Sequence, residues 1–293
     1  MKILITGASG YIGSCLYFYL KNKFYVSGID KNQNRLVPIK KCNLLNYNKL
    51  NNFLKKEKPN LIVHLAAQSL VDETINKEKY YLNNVVATKN LVNSMKKNGL
   101  NNLIFSSTAA LYKQKNKAIS ENDKTLPKST YAKTKYECEK IIKKSKINSI
   151  ILRFFNVCSS LKIKNKIIGE FHNPETHLIP TIVYKNLLNQ KIYIYGNNYN
   201  TKDGTCIRDY VHIMDLVEGH ISVIEFLLKN DPQYITINLG RGEGISLLEL
   251  VNKFCEVNRV VIPLEFCAER EGDVARLVTN NALAKEILNW SPK

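Results

Sequence analysis

The segment Lys2-Ile3-Leu4-Ile5-Thr6 runs directly into Gly7-Ala8-Ser9-Gly10-Tyr11-Ile12-Gly13. An apolar strand that turns on three evenly spaced glycines and then opens a helix can be built into very few folds. Gly7 permits the tight turn. Gly10 has no side chain, so a pyrophosphate can approach the backbone, where helix N–H groups and the helix dipole hold negative charge. Gly13 lets the helix lie close on the strand. Asp30 ends the next apolar run, where the acid that bonds an adenosine ribose is expected. A carboxylate there favours NAD, because it would repel a 2′-phosphate.

The pattern that follows agrees with such a unit. Apolar runs of strand length fall at Lys2–Thr6, Tyr25–Ile29, Leu61–Leu65, Leu103–Ser106 and Ser149–Phe154. Continuous Ile, Leu and Val suits strands buried on both faces. Helix-like stretches lie between them at Tyr11–Asn22, Tyr47–Lys56, Tyr80–Asn98 and Tyr131–Lys144. Strands alternating with helices predict an α/β protein with a Rossmann-like, doubly wound parallel sheet and its ligand crevice at the carboxyl ends of the strands. After Phe155 the texture changes. A lysine-rich loop (Ser159–Lys166) precedes mixed short strands at Lys191–Tyr195, Ile235–Leu239 and Val260–Phe266. Helices are expected at Ile179–Asn189, Ile213–Leu228 and Ser246–Glu256. The division expected is 1–155 for an NAD-binding domain and 156–293 for a smaller C-terminal α/β substrate-binding domain. A segment within 205–240 is expected to return to the first.

Bulk properties exclude several classes. No apolar run approaches the ~20 residues of a membrane-spanning helix, and Met1-Lys2 leads straight into a strand, so neither a membrane partner nor a signal peptide is expected. Seven cysteines are scattered without a Cys-x-x-Cys pair. That is the pattern of a reduced, cytoplasmic protein with neither a disulfide framework nor a metal site. The net charge of +18 is spread along the chain in Lys/Asn-rich stretches. Without a clustered basic stripe carrying aromatic platforms it gives no nucleic-acid site.

Tyr131 and Lys135 stand at i and i+4, on one face of a helix. Ionising a free tyrosine at pH 7 costs about 4 kcal/mol. A fixed ammonium and a cationic nicotinamide can offset most of that, so Tyr131 can take a hydroxyl proton while hydride leaves for a cofactor. Ser106-Ser107-Thr108 ends the fourth main strand, and the Thr108 hydroxyl can bond the same substrate oxygen. In the second half Asn156, His177, Arg208, Arg270 and Asp273 are polar groups in otherwise apolar stretches. Two guanidinium forks suit a diphosphate.

These residues sit in longer matches. The chain resembles the extended short-chain dehydrogenase/reductase superfamily, and within it the UDP-glucose 4-epimerases, over essentially its whole length. The shared marks are Thr6–Gly13, His64-Leu-Ala-Ala67, Asn83-Asn84-Val85, Phe105–Ala109, Tyr131–Lys135 and Arg153-Phe-Phe-Asn156. Pro174–Pro180 and Asp203–His212 are closest to the epimerases in particular. The resemblance implies a tightly held NAD, surrounded by Gly7, Gly10, Tyr11, Ile12, Gly13, Asp30, Asn43, Leu44, Leu65, Ala66, Ala67, Asn84, Ser106, Tyr131, Lys135 and Phe155. It implies a UDP-sugar held by Thr108, Tyr131, Asn156, His177, Leu178, Tyr193, Tyr195, Arg208, Arg270 and Asp273. Thr108, Tyr131 and Lys135 would be catalytic: the sugar is oxidised at C4, the 4-keto sugar turns over, and hydride returns to its other face. Lys135 would hold the nicotinamide ribose and lower the Tyr131 pKa. Relatives pair through a four-helix bundle, so a homodimer through Tyr80–Asn98 and Tyr131–Lys144 is expected. The chain departs from the family with Asn43 for an acid, Ser69 for a lysine, His177 for an asparagine, and Leu277 at the position that gates the sugar pocket.

Three other readings share the Tyr/Lys pair. A 4-epimerase of a different UDP-sugar, an N-acetylhexosamine or a pentose, stays open. A sugar 4,6-dehydratase typically carries Asp-Glu after the strand-end threonine, where this chain has Ala109-Ala110. A non-enzymatic NAD sensor would not require Thr108, Tyr131 and Lys135 together.

Overall fold

The computed structural model describes residues 1–32, 37–69, 76–163, 165–172, 175–230, 233–270 and 273–293. Part of the loop after Asp30, and Pro174, lie outside the described residues. The chain opens with β1 (Lys2–Thr6), α1 (Tyr11–Leu20), β2 (Tyr25–Asp30), β3 (Lys40–Lys41), α2 (Tyr47–Glu57) and β4 (Leu61–His64). Then come α3 (Lys77–Tyr80), a π-helical stretch (Tyr81–Val86), α4 (Ala87–Lys97), β5 (Asn102–Thr108), α5 (Thr130–Ser145) and β6 (Asn148–Phe154). The second half begins with β7 (Asn156–Cys158), β8 (Leu161–Ile163), β9 (Lys166–Ile168), α6 (Leu178–Leu187), β10 (Ile192–Tyr195) and β11 (Ile207–His212). It ends with α7 (Ile213–Asn230), β12 (Tyr234–Leu239), β13 (Gly244–Ser246), α8 (Leu247–Asn258), β14 (Leu264–Cys267), β15 (Arg276–Leu277) and α9 (Ala282–Leu288).

The main sheet runs β3-β2-β1-β4-β5-β6-β12, all parallel. The chain leaves β1 in one direction through β2 and β3, then returns to β4 on its other side. That reversal opens a crevice at the carboxyl ends of β1 and β4. Each sheet face has its own core, which is why the strands read as unbroken apolar runs. Ile3 and Ile5 of β1 point into one core with Leu16 of α1, Leu216 of α7 and Trp290. Leu4, between them, points into the other with Leu54 of α2, Leu91 of α4 and Ile142 of α5. Local signals fix the helix ends. Asn46 accepts from Lys49 N at the start of α2, Ser129 accepts from Ala132 N at the start of α5, and Ser246 with Glu249 forms a capping box on α8.

Several elements differ from the sequence expectation. Tyr80–Asn98 is not one uniform helix but α, π and α in succession, and the wide stretch carries the buried Asn84. The expected loop Ser159–Lys166 contains β8, which pairs with β9 in an antiparallel hairpin. Leu161 and Ile168 of that hairpin enter the first core, and this apolar anchoring overrides the lysine-rich composition. The expected strand Val260–Phe266 begins only at Leu264, after Pro263, which has no N–H for a ladder. α7 and β12 return to the main sheet. Outside the 205–240 segment, Ala284 and Leu288 of α9 and Trp290 join the same core. Trp290 Nε1 donates to Asp215 O at 2.9 Å.

The remaining second-half strands make smaller sheets. β11 pairs with β7 and β15 in parallel and with β13 antiparallel, and β10 pairs with β14 in parallel. A separate small core of Ile182, Ile192, Ile194, Val251 and Ile262 supports them. Among the described residues no helix is long and apolar enough to cross a membrane.

Candidate active site

At the crevice the glycine turn has the geometry its residues demand. Gly7 has φ +74°, and a Cβ there would lie 2.6 Å from Ala66 N. A Cβ on Gly13 would lie 2.2 Å from Gly7 O. Neither position admits a side chain, so the turn, the β4 end and α1 are pressed together. Gly10 differs: the nearest atom to its Cβ would be Gly7 O at 3.3 Å, and the residue borders the cavity. Gly10 is also the N-cap of α1, without a capping side chain and with no acid in the first turn. The first N–H groups of α1 are therefore left for an anion. Asp30 accepts from Ser9 N at 3.2 Å and Asn32 N at 3.1 Å, holding the turn at its rim. These features fit a dinucleotide, with its diphosphate over Gly10 and a ribose at Asp30.

Beside the turn, α5 brings Tyr131 and Lys135 against the end of β5. Lys135 is 2% exposed. It donates to Ser106 O at 2.6 Å and lies 4.8 Å from the Phe105 ring centroid and 6.0 Å from that of Tyr131. Burial lowers its pKa to about 8. Tyr131 is hydrogen-bonded to the Thr108 side chain, yet burial leaves its phenol above the ordinary value of 10. The Tyr131/Lys135 spacing predicts that Lys135 lowers it. In this structure the ammonium is turned to the Ser106 carbonyl, and burial outweighs the one Thr108 bond.

Beneath the site lies a buried ionic network that sequence reading misses. Arg153 Nε and Nη2 donate to Glu139 Oε1 and Oε2 at 3.0 and 2.7 Å, and Ser107 Oγ donates to Oε1 at 2.5 Å. The Arg153 guanidinium stacks 4.8 Å from the Tyr112 ring centroid, and Tyr112 OH donates to Asn238 Oδ1 at 2.6 Å. This chain ties α5 to β5, β6 and β12. His64 is also buried, bonded to Thr6 Oγ1 at 2.7 Å and Thr88 Oγ1 at 3.0 Å. Burial, reinforced by the Lys135 charge, lowers its pKa to about 3.

The far wall comes from the second half. Arg208 on β11 donates to Ile207 O, Val274 O and Asp273 Oδ1 at 3.0, 2.7 and 3.0 Å. Arg270 stacks on Tyr195, 3.9 Å from the ring centroid. Asn156 hydrogen-bonds Tyr210, whose phenol burial raises to about 12. His177 caps the start of α6 by position only, and its Nδ1 pairs with Glu170 Oε1 at 2.7 Å.

One cavity of about 2250 Å³ joins both walls. A single drug-sized ligand takes roughly 300–1,000 Å³, so there is room for a dinucleotide and a second molecule side by side. Nearly all the residues expected at the site line it: Gly7, Gly10, Tyr11, Ile12, Gly13, Asp30, Asn43, Leu44, Leu65, Ala66, Ala67, Ser106, Thr108, Tyr131, Lys135, Phe155, Asn156, His177, Leu178, Arg208, Arg270 and Asp273. Three do not. Asn84 is buried behind the wall, accepting from Gln68 N at 2.7 Å and donating to Gln68 O and Thr134 Oγ1. It braces the segment after β4. Tyr193 is exposed on the β10 edge, stacked with Lys191. Tyr195 reaches the site only through Arg270. Among lining residues the sequence reading passed over are Glu170, His172 and Tyr210. Glu170 and His172 lie just ahead of the Pro174–Pro180 match, and Tyr210 lies inside the Asp203–His212 match, where it reads as an ordinary strand aromatic.

A glycine turn on a parallel sheet, with a buried Tyr/Lys pair facing it, defines an enzyme of the short-chain dehydrogenase/reductase type. Residues 3–240 match the NAD dependent epimerase/dehydratase family, and the chain belongs to that family. It is similar to the UDP-glucose 4-epimerase of Rhizobium leguminosarum bv. trifolii, 34% identical over 99% of this chain and 92% of the relative. A UDP-glucose 4-epimerase from Brucella ovis in complex with NAD superposes with TM-score 0.90 at 31% identity, over 100% of this chain and 93% of that one. The Stenotrophomonas maltophila UDP-glucose 4-epimerase, with bound NAD and formylated UDP-arabinopyranose, gives 0.92 at 26%, over 100% and 94%.

Proposed function

We propose that the chain is a UDP-glucose 4-epimerase that interconverts UDP-glucose and UDP-galactose. The observation that carries this reading is the hydrogen-bonded Thr108/Tyr131 pair beside Lys135, inside one cavity between an anion-binding glycine turn and two arginines. The Gly7–Gly13 turn, Asp30 and Lys135 would hold NAD, which when bound supplies a hydride acceptor that gives the hydride back within the turnover. Tyr131 would take the proton from the sugar 4-hydroxyl and return it, and Thr108 would orient that hydroxyl. Because burial holds the phenol above 10, ionising Tyr131 at pH 7 costs more than the ~4 kcal/mol of a free tyrosine. The positive charge of Lys135 and of the nicotinamide ring opposes that cost.

Asn156, Arg208 and Arg270 would anchor the nucleotide diphosphate, with Asp273 holding Arg208 in place. Binding energy is then placed away from the sugar, which is free to turn between hydride departure and return. The absence of an acid pair after Thr108, where Ala109 and Ala110 stand, supports simple epimerisation over dehydration. Leu277 lines the cavity; at the gating position that the resemblance implies, its intermediate size would leave room for a second reading, a 4-epimerase of a UDP-N-acetylhexosamine or UDP-pentose.

A coupled assay tests both readings. Conversion of UDP-galactose to UDP-glucose without net NADH supports the first. Exclusive turnover of UDP-N-acetylgalactosamine or a UDP-pentose replaces it with the second. A homodimer is also proposed, through the face carrying the exposed Tyr81 and Leu82, and a mass in solution equal to one chain would refute it. Seven unbridged cysteines support a reducing, cytoplasmic setting.

A further inference from the structure

Glu170, His172 and His177 bring one carboxylate oxygen and two imidazole nitrogens within 4.8 Å of one another on the wall of the cavity. His177 Nδ1 lies 2.7 Å from Glu170 Oε1, and His172 Nδ1 lies 3.9 Å from the same oxygen. The two rings meet edge to face with centroids 5.4 Å apart.

An ordinary ion pair explains His177 and Glu170 but not His172. His172 Nδ1 is shut off from solvent and makes no hydrogen bond among the described residues. A buried ring nitrogen without a partner is costly, and each such atom calls for an explanation. Glu175 does not provide one, although its carboxylate lies 3.5 Å away. That distance is beyond a good hydrogen bond, and the oxygen concerned, Oε1, already accepts from the backbone N–H groups of Thr176 and His177 at 2.9 and 3.0 Å, while Oε2 accepts from that of His172 at 3.0 Å. Glu175 thus holds the backbone at both histidines of the cluster.

We propose that Glu170, His172 and His177 form a binding site for a divalent transition-metal ion, best matched to zinc. Two imidazoles and one carboxylate are a zinc donor set, and three protein ligands leave a fourth position for an exchangeable oxygen ligand. Donors at ~2.0–2.2 Å around a tetrahedral zinc lie roughly 3.3–3.5 Å from each other. The 2.7 Å contact must therefore open by roughly 0.6–0.8 Å and the 3.9 Å contact close by roughly 0.4–0.6 Å, and the two imidazole nitrogens, within 4.8 Å, must also come to that spacing, by side-chain rotation. The three residues line the cavity, and a fourth position on its side would take water or an anionic oxygen. A bound ion would also clamp the segment that follows β9 to the start of α6. The proposal depends on neither NAD nor the epimerase reading.

The test is a titration of chelator-treated, dialysed protein with zinc against a chromophoric indicator, and with cobalt while recording the visible spectrum. Expected are one equivalent bound at micromolar or tighter Kd and cobalt absorption bands of a four- or five-coordinate site. His172→Ala and Glu170→Gln should each weaken binding by more than the roughly 10–100-fold that follows loss of an outer-shell partner. Circular dichroism of each variant checks that it is folded, and His172 Nδ1 supports no hydrogen bond whose loss would unfold it. No stoichiometric binding overturns the proposal. So does binding that both variants keep, which would place the ion on the cysteines, Cys158 of the same cavity among them.

Discussion

The two walls of the cavity are built on different principles. The wall from the first half offers a ligand mainly backbone, at the Gly7–Gly13 turn and the first N–H groups of α1, and of its few side chains Lys135 is deeply buried. The wall from the second half uses side chains from separate elements, Arg208 on β11 paired with Asp273, Arg270 stacked on Tyr195, and His177 paired with Glu170 before α6. A backbone site depends on the close approach of elements, so damage to it is damage to the fold. A side-chain site on small sheets can be changed with little structural consequence.

That contrast can be broken at defined points. The largest effect is expected from Tyr131→Phe, which should lower kcat by roughly 10²–10⁴ through loss of proton transfer while bound NAD is retained. A variant that keeps more than a tenth of the activity would remove Tyr131 from the proton-transfer role. Next is Glu139→Ala, which strands the Arg153 charge in the core; about 3–5 kcal/mol of stability should be lost. The urea midpoint followed by the fluorescence of Trp290, the one tryptophan of the chain, reads this directly. Gly13→Ala should cost about 1–3 kcal/mol by overpacking against Gly7 O and should also release NAD. Loss of stability with NAD still held would separate the turn from the ligand.

Arg208→Lys probes the other wall. It should raise KM for the UDP-sugar by about tenfold, or ~1.4 kcal/mol, because a lysine cannot reproduce the fork. An equal loss of stability would show that the second half is no more tolerant than the first. The smallest effect concerns acid. His64 titrates near 3 in the fold and near 6.5 when unfolded, so the unfolded chain binds the extra proton between those values. Stability should fall as pH drops through this window, by about 1 kcal/mol between pH 6.5 and 5.5. In His64→Gln that part of the slope should vanish, and an unchanged slope would assign it to other groups.

The same contrast explains what was legible in the sequence. Gly7, Gly10 and Gly13 announce themselves because only glycine satisfies the backbone at those points, and five of the main-sheet strands read from apolar runs alone. The Tyr131/Lys135 spacing is local to one helix and equally plain. Glu139 and Arg153 acquire meaning only when α5 and β6 meet. Glu170, His172 and His177 share one short stretch, but its irregular spacing does not show that their side chains converge. Asn84 misled for a related reason: it stands beside the site in sequence, but the wide π turn buries it behind the wall. The hairpin β8–β9 was hidden by the lysines interspersed among Leu161, Ile163, Ile167 and Ile168, of which Leu161 and Ile168 are the buried ones.

The edge strand β12 has a consequence for synthesis. β6 emerges from the ribosome roughly eighty residues before its last sheet partner, an interval on the order of 4–16 s at 5–20 residues per second. Until then one edge of β6, whose residues from Ser149 to Phe154 are all buried in the finished protein, stands open as a template for another strand. A nascent chain is therefore most exposed to mispairing late in translation, when its ligand-binding turn is already complete.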